Sequence, residues 1–113
     1  MKKNIIFGTS VAGFEYLTNK PDDLIISAFC DNDEAKVGKK FLGLPTISPN
    51  DLDPEIHNIY ICSIFYNEIL AQLLALKFLK ESIEIVRPQS VLRLENINEA
   101  LTVLQKATKI GIK

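Results

Sequence analysis

Short apolar runs alternate along the chain with stretches in which an apolar residue recurs every third or fourth position. The runs are almost wholly apolar, which is typical of strands buried on both faces of a parallel sheet; they are residues 4–7, 24–30, 58–62 and 83–86. The helical spacing predicts helices over residues 11–18, 66–80 and 97–109. The alternation predicts an α/β fold in which helices cover both faces of a parallel sheet.

The connections between these elements predict how the sheet is assembled. Right-handed crossovers place the four strands in the order 2-1-3-4. Residues 37–49 contain two glycines and two prolines, so we expect an irregular segment with a small β-ribbon, and then one helical turn over residues 48–52. We expect one domain at residues 1–90 and a C-terminal helical extension at residues 91–113. The extension would pack on the domain or form a homodimer interface.

The composition limits which binding partners and which cellular compartment we expect. The chain has 113 residues, of which 47% are hydrophobic, and 13 basic against 14 acidic side chains give a net charge of -1. Such a chain has no excess positive charge for a nucleic-acid backbone, so we expect no nucleic-acid partner. No apolar run approaches the roughly 20 residues that span a membrane, and no secretory signal is recognisable, so we expect a cytoplasmic protein without membrane contact. Cys30 and Cys62 each end an apolar run, and we expect both to be buried and free.

A glycine-containing segment connects the first strand to the first helix. Its residues are Gly8, Thr9, Ser10, Val11, Ala12 and Gly13. They match the dinucleotide-binding pattern G-x-G-x-x-G except that Ser10 replaces the middle glycine. In that pattern the first glycine allows a tight turn, the middle one lets a phosphate approach the backbone, and the third lets the helix pack closely. The position favours a Rossmann-like nucleotide-binding fold, and the alternative is that Gly8 and Gly13 only shape the turn.

Polar residues follow the second and third strands. Asp31, eighteen residues after the last glycine of that segment, stands where an acidic residue of Rossmann domains accepts hydrogen bonds from an unphosphorylated ribose. Asn32 and Asp33 follow it, and the alternative for all three is an ordinary polar turn. Ser63 follows the third strand and would face the same crevice, or else cap the next helix. His57 precedes the third strand, so we expect it on the surface at the opposite edge of the sheet. We predict no catalytic residue and no metal site.

The loop sequences together resemble a known group of domains. The segments that carry the resemblance are residues 5–13, 29–33, 36–40 and 42–47. They are similar to the N-terminal Rossmann-like, CoA-binding-like domains of bacterial nucleoside-diphosphate-sugar epimerases and dehydratases of polysaccharide biosynthesis, over about residues 4–90. In that family a following segment with a Tyr-x-x-x-Lys pair performs catalysis, and similar domains precede the β-helix of sugar N-acyltransferases. The resemblance implies a nucleotide or nucleotide-sugar pocket formed by Gly8 to Gly13 and Asp31 to Asp33, with Ser63 on its far wall.

Three functions remain open from the sequence. The first is a module that binds a small nucleotide ligand, NAD(H) or a UDP- or dTDP-sugar, in surface-polysaccharide synthesis, without complete catalytic machinery. The second is a fragment or subunit of a nucleotide-sugar epimerase, dehydratase or sugar transferase, so the sequence leaves open whether the protein is an enzyme. The third is a scaffold for protein association that binds no small ligand, because a fold does not by itself imply a function.

Overall fold

The computed structural model describes residues 2–86 of the chain. The strands are β1 Lys3–Phe7, β2 Ile26–Cys30, β3 Lys40–Phe41, β4 Leu44–Ile47, β5 His57–Ile61 and β6 Ile83–Ile85. The helices are α1 Val11–Asn19 and α2 Tyr66–Ala75, and 3-10 turns lie at Pro49–Asp51 and Lys80–Ser82. The helix predicted at residues 97–109, the extension at residues 91–113 and the homodimer expected through it lie outside the described residues.

The six strands form one sheet in the order β3-β4-β2-β1-β5-β6. Every neighbouring pair is parallel except β3 with β4, which confirms the α/β fold with a mostly parallel sheet. The four predicted strands correspond to β1, β2, β5 and β6. The predicted order 2-1-3-4 is nevertheless wrong for the whole sheet, because β3 and β4 extend it beyond β2.

A tight hairpin explains the two additional strands. Leu42 and Gly43 connect β3 to β4, and both have left-handed backbone conformations, with φ of 54° and 84°. Two such residues in succession form the two-residue turn that folds antiparallel strands back on each other. β4 then lies parallel to the end of β2, with Thr46 beside Phe29. The ribbon predicted within residues 37–49 is therefore part of the main sheet.

The chain reverses its path across the sheet at β1. From β1 it moves through β2 to β4 on one side, and it then returns to β5 on the other side of β1 and continues to β6. Numbered along the chain, the five parallel strands lie in the order 3-2-1-4-5. Ligands of open α/β sheets bind outside the carboxyl ends of the strands at such a reversal. Here the reversal lies between β1 and β5.

The two helices cover opposite faces of the sheet. Ile5 and Phe7 of β1 pack on one face in a buried cluster that includes Leu73 of α2. Ile6, between them, packs on the other face in a cluster that includes Ala12 of α1. β1 is therefore buried on both faces, as its apolar run predicts. Within residues 2–86, neither helix has the length and apolar character needed to cross a membrane.

The two cysteines lie on opposite faces of the sheet. Cys30 belongs to the buried cluster on the α2 face, and Cys62 belongs to the cluster on the α1 face. Both are buried and neither forms a disulfide, as the sequence predicts. Burial raises the pKa of Cys62 to about 12, so its thiol stays protonated at neutral pH.

Helix α2 is shorter than its periodicity predicts, because it ends at Ala75 rather than near Lys80. Lys77 has a φ of 75°, in the left-handed region. Its N–H group donates to the Leu74 carbonyl at 3.0 Å, and the Phe78 N–H group donates to the Leu73 carbonyl at 3.1 Å. These two bonds are the pattern that commonly closes a helix. Phe78 is only 2% exposed, so the helix stops where burial of this side chain turns the backbone inward.

Candidate ligand-binding site

Gly8 directly follows β1, between the carboxyl ends of the neighbouring strands β2 and β5. Its N–H group donates to the Cys30 carbonyl on one side at 2.9 Å, and on the other side the Cys62 N–H group donates to the Phe7 carbonyl at 2.9 Å. Gly8 has a φ of 133°, and a Cβ atom there would lie 2.2 Å from the Cys62 carbonyl oxygen. Only glycine fits this turn, since any side chain would meet backbone.

Gly13 allows α1 to pack directly on the preceding loop. A Cβ atom on Gly13 would lie 2.2 Å from the Gly8 carbonyl oxygen and 3.3 Å from the Phe29 ring. Ala12 is also buried, in the cluster between α1 and the sheet. The first and last glycines of the segment thus have the two packing roles that the nucleotide-binding pattern requires of them.

Ser10, the residue in place of the middle glycine, is the N-cap of α1. It is exposed, and its side chain makes no capping hydrogen bond. The first bond into the helix runs from the Phe14 N–H group to the Ser10 carbonyl at 3.0 Å. The N–H groups of Val11, Ala12 and Gly13 precede this bond and have no acceptor within the helix. The serine hydroxyl and these amides form a group of donors at the start of the helix.

Asp31 holds the loop between β1 and α1 in place. Its Oδ2 atom accepts hydrogen bonds from the Thr9 hydroxyl at 2.6 Å and the Thr9 N–H group at 3.1 Å, and its Oδ1 atom accepts one from the Asp33 N–H group at 2.8 Å. Burial acts to raise the pKa of Asp31, but these bonds and the Lys36 charge outweigh it, so the pKa lies below its ordinary value of 3.8. Asp31 is therefore an ionised carboxylate that already has three donors.

Two further contacts join the loops around the carboxyl end of the sheet. Asn32 and Gln72 of α2 exchange amide hydrogen bonds of 2.8 and 3.0 Å, which tie the end of β2 to α2. The Lys36 ammonium lies 3.4 Å from the Thr9 carbonyl oxygen and 4.0 Å from Asp31 Oδ2. Asp33 is exposed and accepts a hydrogen bond from the Ala35 N–H group, so its carboxylate stabilises a turn.

A cavity of about 470 Å³ opens at the carboxyl ends of β1, β2 and β5, where the chain reverses across the sheet. We name it the switch-point cavity. Its lining includes six of the residues that the sequence singles out: Gly8, Thr9, Ser10, Asp31, Asn32 and Ser63. Four other candidates do not line it: Val11, Ala12, Gly13 and Asp33. Ala12 and Gly13 instead pack α1 on the sheet.

Five residues of the lining were not predicted from the sequence: Phe7, Lys36, Phe65, Glu68 and Ile69. Phe65 is 61% exposed, and its N–H group donates to the Ser63 hydroxyl at 3.0 Å. The sequence could have indicated Phe65, because residues that follow the end of β5 face the crevice at the carboxyl ends of the strands. The sequence signal for Lys36 was weaker, because a lysine in a polar turn usually contacts only solvent.

His57 is the first residue of β5 and lies at the end of the sheet opposite the switch-point cavity. The expectation that it is a surface residue is wrong, since it is only 7% exposed. Its Nδ1 atom accepts a hydrogen bond from the Asp53 N–H group at 2.9 Å. Burial lowers the pKa of His57 below 6.5, Asp53 acts against this shift, and Lys3 adds to it. Its role here is structural.

No protein-family model matches the chain, and no curated protein sequence is significantly similar to it. Within the described part of the chain, no three His, Cys, Asp or Glu side chains are grouped as metal ligands. The features of this site that bear on function are the geometry of the cavity, its hydrogen-bond donors and its charges.

Proposed function

We propose that the chain is a Rossmann-like nucleotide-binding module whose ligand occupies the switch-point cavity. The observation that carries the proposal is the position of this cavity, at the carboxyl ends of the strands where the sheet order reverses. Its volume of about 470 Å³ falls within the range of small-molecule sites. The ligand classes that we propose are NAD(H) and UDP- or dTDP-sugars.

The start of α1 supplies the phosphate end of the proposed site. Of the donors at this helix start, the Ser10 hydroxyl lines the cavity and makes no capping bond, and the amides of Val11 and Ala12, which lie outside the lining, follow it without a helical acceptor. Backbone amides and the helix dipole together favour an anion at such a position. The Ser10 side chain narrows the approach that a glycine would leave open, but its hydroxyl adds a donor.

The opposite wall suits the sugar or the base. Phe7 and Ile69 give the cavity an apolar floor, and the exposed Phe65 ring gives it an aromatic wall on which a base can stack. The Ser63 hydroxyl accepts from the Phe65 amide and can still donate its own proton to a ligand. Glu68 adds an acceptor for ligand hydroxyl groups.

The pathway and the compartment are further parts of the proposal. Bacterial surface-polysaccharide synthesis in the cytoplasm is supported by the resemblance of the loop sequences to nucleotide-sugar enzymes, and by that alone. The described residues supply donors, acceptors and packing surfaces around the cavity, and we assign none of them a catalytic role. We propose a binding or regulatory module.

The test is thermal stability of the full chain with NAD(H), NADP(H), CoA, UDP, UDP-GlcNAc and dTDP-sugars. A ligand at 100 times its Kd should stabilise the fold by about 2.7 kcal/mol. The informative variant is Ser10→Asp, because aspartate is a favoured N-cap but places a negative charge where the phosphate would lie. Ser10→Asn is the matched neutral control.

We expect one ligand class to raise the melting temperature of the wild type and of Ser10→Asn, and to leave Ser10→Asp unchanged. Both variants should fold, since the side chain is exposed and caps nothing at present. The proposal is wrong if no ligand stabilises the wild type, or if Ser10→Asp responds as strongly as Ser10→Asn.

A further inference from the structure

The carboxylate that follows β2 has too few free acceptor positions to bind a pair of ribose hydroxyls. Asp31 Oδ2 accepts hydrogen bonds from the Thr9 hydroxyl and the Thr9 N–H group, and Oδ1 accepts one from the Asp33 N–H group. A carboxylate has about four acceptor positions, so one is left, on Oδ1. Two neighbouring hydroxyl groups donate two hydrogen bonds, and Asp31 can accept only one of them without releasing its own loop.

Asn32, the next residue, is also paired within the protein. Its side-chain amide donates to Gln72 Oε1 at 3.0 Å, and its Oδ1 atom accepts a hydrogen bond from the Gln72 amide at 2.8 Å. Asp33 does not line the switch-point cavity. The side of the cavity next to β2, where Rossmann domains bind ribose, therefore offers a ligand neither an unused carboxylate nor an unused carboxamide.

The α2 side of the cavity has a carboxylate that is not used in this way. Glu68 lies in the first turn of α2, is exposed and lines the cavity. Its side chain has no hydrogen-bond or ion-pair partner among residues 2–86. Gln72 lies four residues later, on the same face of α2, and its bond to Asn32 shows that this face is directed towards the end of β2. Both oxygens of Glu68 are therefore available to a ligand in the cavity.

An exposed aromatic ring accompanies this carboxylate. Phe65 is the N-cap residue of α2 and lines the cavity three residues before Glu68. The N-cap residue and the third residue of a helix are neighbours in space. The turn that carries the ring is held by the Ser63 hydroxyl, which accepts a hydrogen bond from the Phe65 N–H group at 3.0 Å. A base that stacks on this ring would have its ribose beside Glu68.

We propose that Glu68, rather than Asp31, binds the ribose of the nucleotide by accepting hydrogen bonds from its 2′ and 3′ hydroxyl groups while the base stacks on Phe65. The inference rests on the proposed nucleotide site and specifies its ligand class: a ribonucleotide rather than a deoxyribonucleotide. The nucleoside lies on the α2 side of the cavity, and its phosphates extend towards Ser10 at the start of α1. Among the ligands proposed above, NAD(H) and UDP-sugars meet this requirement and dTDP-sugars do not.

Calorimetric titration of the full chain with two matched pairs of nucleotides tests this. UDP is compared with 2′-deoxy-UDP, and ADP is compared with 2′-deoxy-ADP, so that the members of each pair differ only in the 2′-hydroxyl group. We expect at least one pair to bind, and its ribonucleotide to bind about tenfold more tightly than its deoxyribonucleotide, as a hydrogen bond to a charged group would give.

Variants of two glutamates locate the effect. In Glu68→Ala the ratio of the two affinities should fall from about ten to about one, while the deoxyribonucleotide binds as it does to the wild type. Glu55→Ala is the control with the same change of charge, because Glu55 is exposed and lies two residues before β5, at the end of the sheet opposite the cavity. It should keep the ratio of the wild type. The ratio is measured within each variant, so a general loss of affinity or stability does not imitate the effect.

Equal affinities within each pair for the wild type would overturn this inference and leave the proposed nucleotide site intact. A ratio that persists in Glu68→Ala would assign the ribose to another acceptor, and a fall in Glu55→Ala equal to that in Glu68→Ala would show a general effect of charge; either result overturns the inference. If none of the four nucleotides binds although the thermal panel stabilises the chain, recognition of the ribose is not a source of affinity and the inference is wrong. Failure of both experiments would overturn both proposals.

Discussion

The hydrogen bond between Thr9 and Asp31 fixes the loop between β1 and α1, which lines the switch-point cavity, and removing it gives a measurable prediction. Thr9→Val deletes the hydroxyl that donates to Asp31 Oδ2 at 2.6 Å and keeps the branched shape of the side chain. Hydrogen bonds to charged groups contribute about 1.5 to 3 kcal/mol. The Asp31 side chain is 18% exposed and keeps two backbone donors, so we expect the lower end, about 1.5 kcal/mol of lost stability.

Urea unfolding measures this loss. With a slope of about 1.5 kcal/mol per molar urea, the midpoint should fall by about 1 M. Thr18→Val is the matched control, because it removes an exposed hydroxyl that donates to the Phe14 carbonyl within α1 at 2.8 Å. That variant should lose less than about 0.5 kcal/mol.

The pH dependence separates the role of the charge from that of packing. The pKa of Asp31 in the folded chain is below 3.8, so the unfolded chain takes up the proton first as the pH falls. The stability that these bonds contribute is therefore present above about pH 3.8 and is lost as the pH falls through the lower folded pKa. In Thr9→Val the folded pKa moves back toward 3.8.

The difference between the wild type and Thr9→Val should thus be greatest above pH 3.8 and should shrink below it. If Thr9→Val costs no more than Thr18→Val at neutral pH, Asp31 does not hold the loop. If the difference persists unchanged in acid, its origin is packing rather than the ionised carboxylate.

Two further predictions concern the end of helix α2 and the buried His57. Lys77→Gly should stabilise the protein by about 1 kcal/mol in urea unfolding, because glycine adopts the left-handed conformation of this position without strain, whereas Lys77→Ala should give no gain. The pKa of His57 is below 6.5 in the folded chain, so the free energy of unfolding should fall as the pH drops from 6.5 toward that lower value, and His57→Gln should abolish this slope. A slope that persists in His57→Gln, or a gain in Lys77→Ala equal to that in Lys77→Gly, would refute the respective argument.

The strands that are buried on both faces were predictable because burial leaves a continuous apolar run in the sequence. The ends of elements were not, because tertiary contacts set them. Strand β2 begins at Ile26 rather than Leu24, and Ile25 just before it is exposed while its carbonyl accepts a hydrogen bond from the Asn4 side chain. Helix α2 stops early because Phe78 enters the core. The helical spacing of apolar residues along the chain does not show this tertiary contact, so it predicts a longer helix.

The hairpin of β3 and β4 was only partly predictable for a different reason. Its turn, Leu42-Gly43, places a leucine in a left-handed conformation, where asparagine or aspartate would be the recognisable signal. Strand β3 has only two residues, too few for a period-two pattern. The position of Lys39 and Lys40 beside Thr46 follows from this hairpin, so it was not predictable from the sequence either.

The glycines of the site were predictable because their chemistry is local, whereas the role of Asp31 was not. Gly8 and Gly13 belong to a turn and a helix that are adjacent in sequence, so a short pattern marks both positions, even though the backbone that a Cβ atom on Gly8 would meet is that of Cys62. The partner of Asp31 is Thr9, 22 residues away, and the pairing depends on β1 and β2 being neighbours with their carboxyl ends aligned. A position that often binds ribose in Rossmann domains is here largely occupied by the protein's own loop.

The hydrogen bonds that Asp31 accepts from the protein's own loop affect how the proposed site would discriminate between ligands. Because Asp31 fixes Thr9 through two hydrogen bonds, this wall of the switch-point cavity is ordered before any ligand arrives. A preorganised site loses less conformational entropy on binding, so its affinity depends mainly on how well the ligand matches fixed donors. The donors beside Thr9 in the lining of this cavity are the Ser10 hydroxyl at the start of α1 and the Lys36 ammonium, which is held by the Thr9 carbonyl. A ligand without phosphate here would leave these donors to water, and that difference is the basis on which the proposed site is expected to prefer a phosphate-bearing nucleotide over its nucleoside.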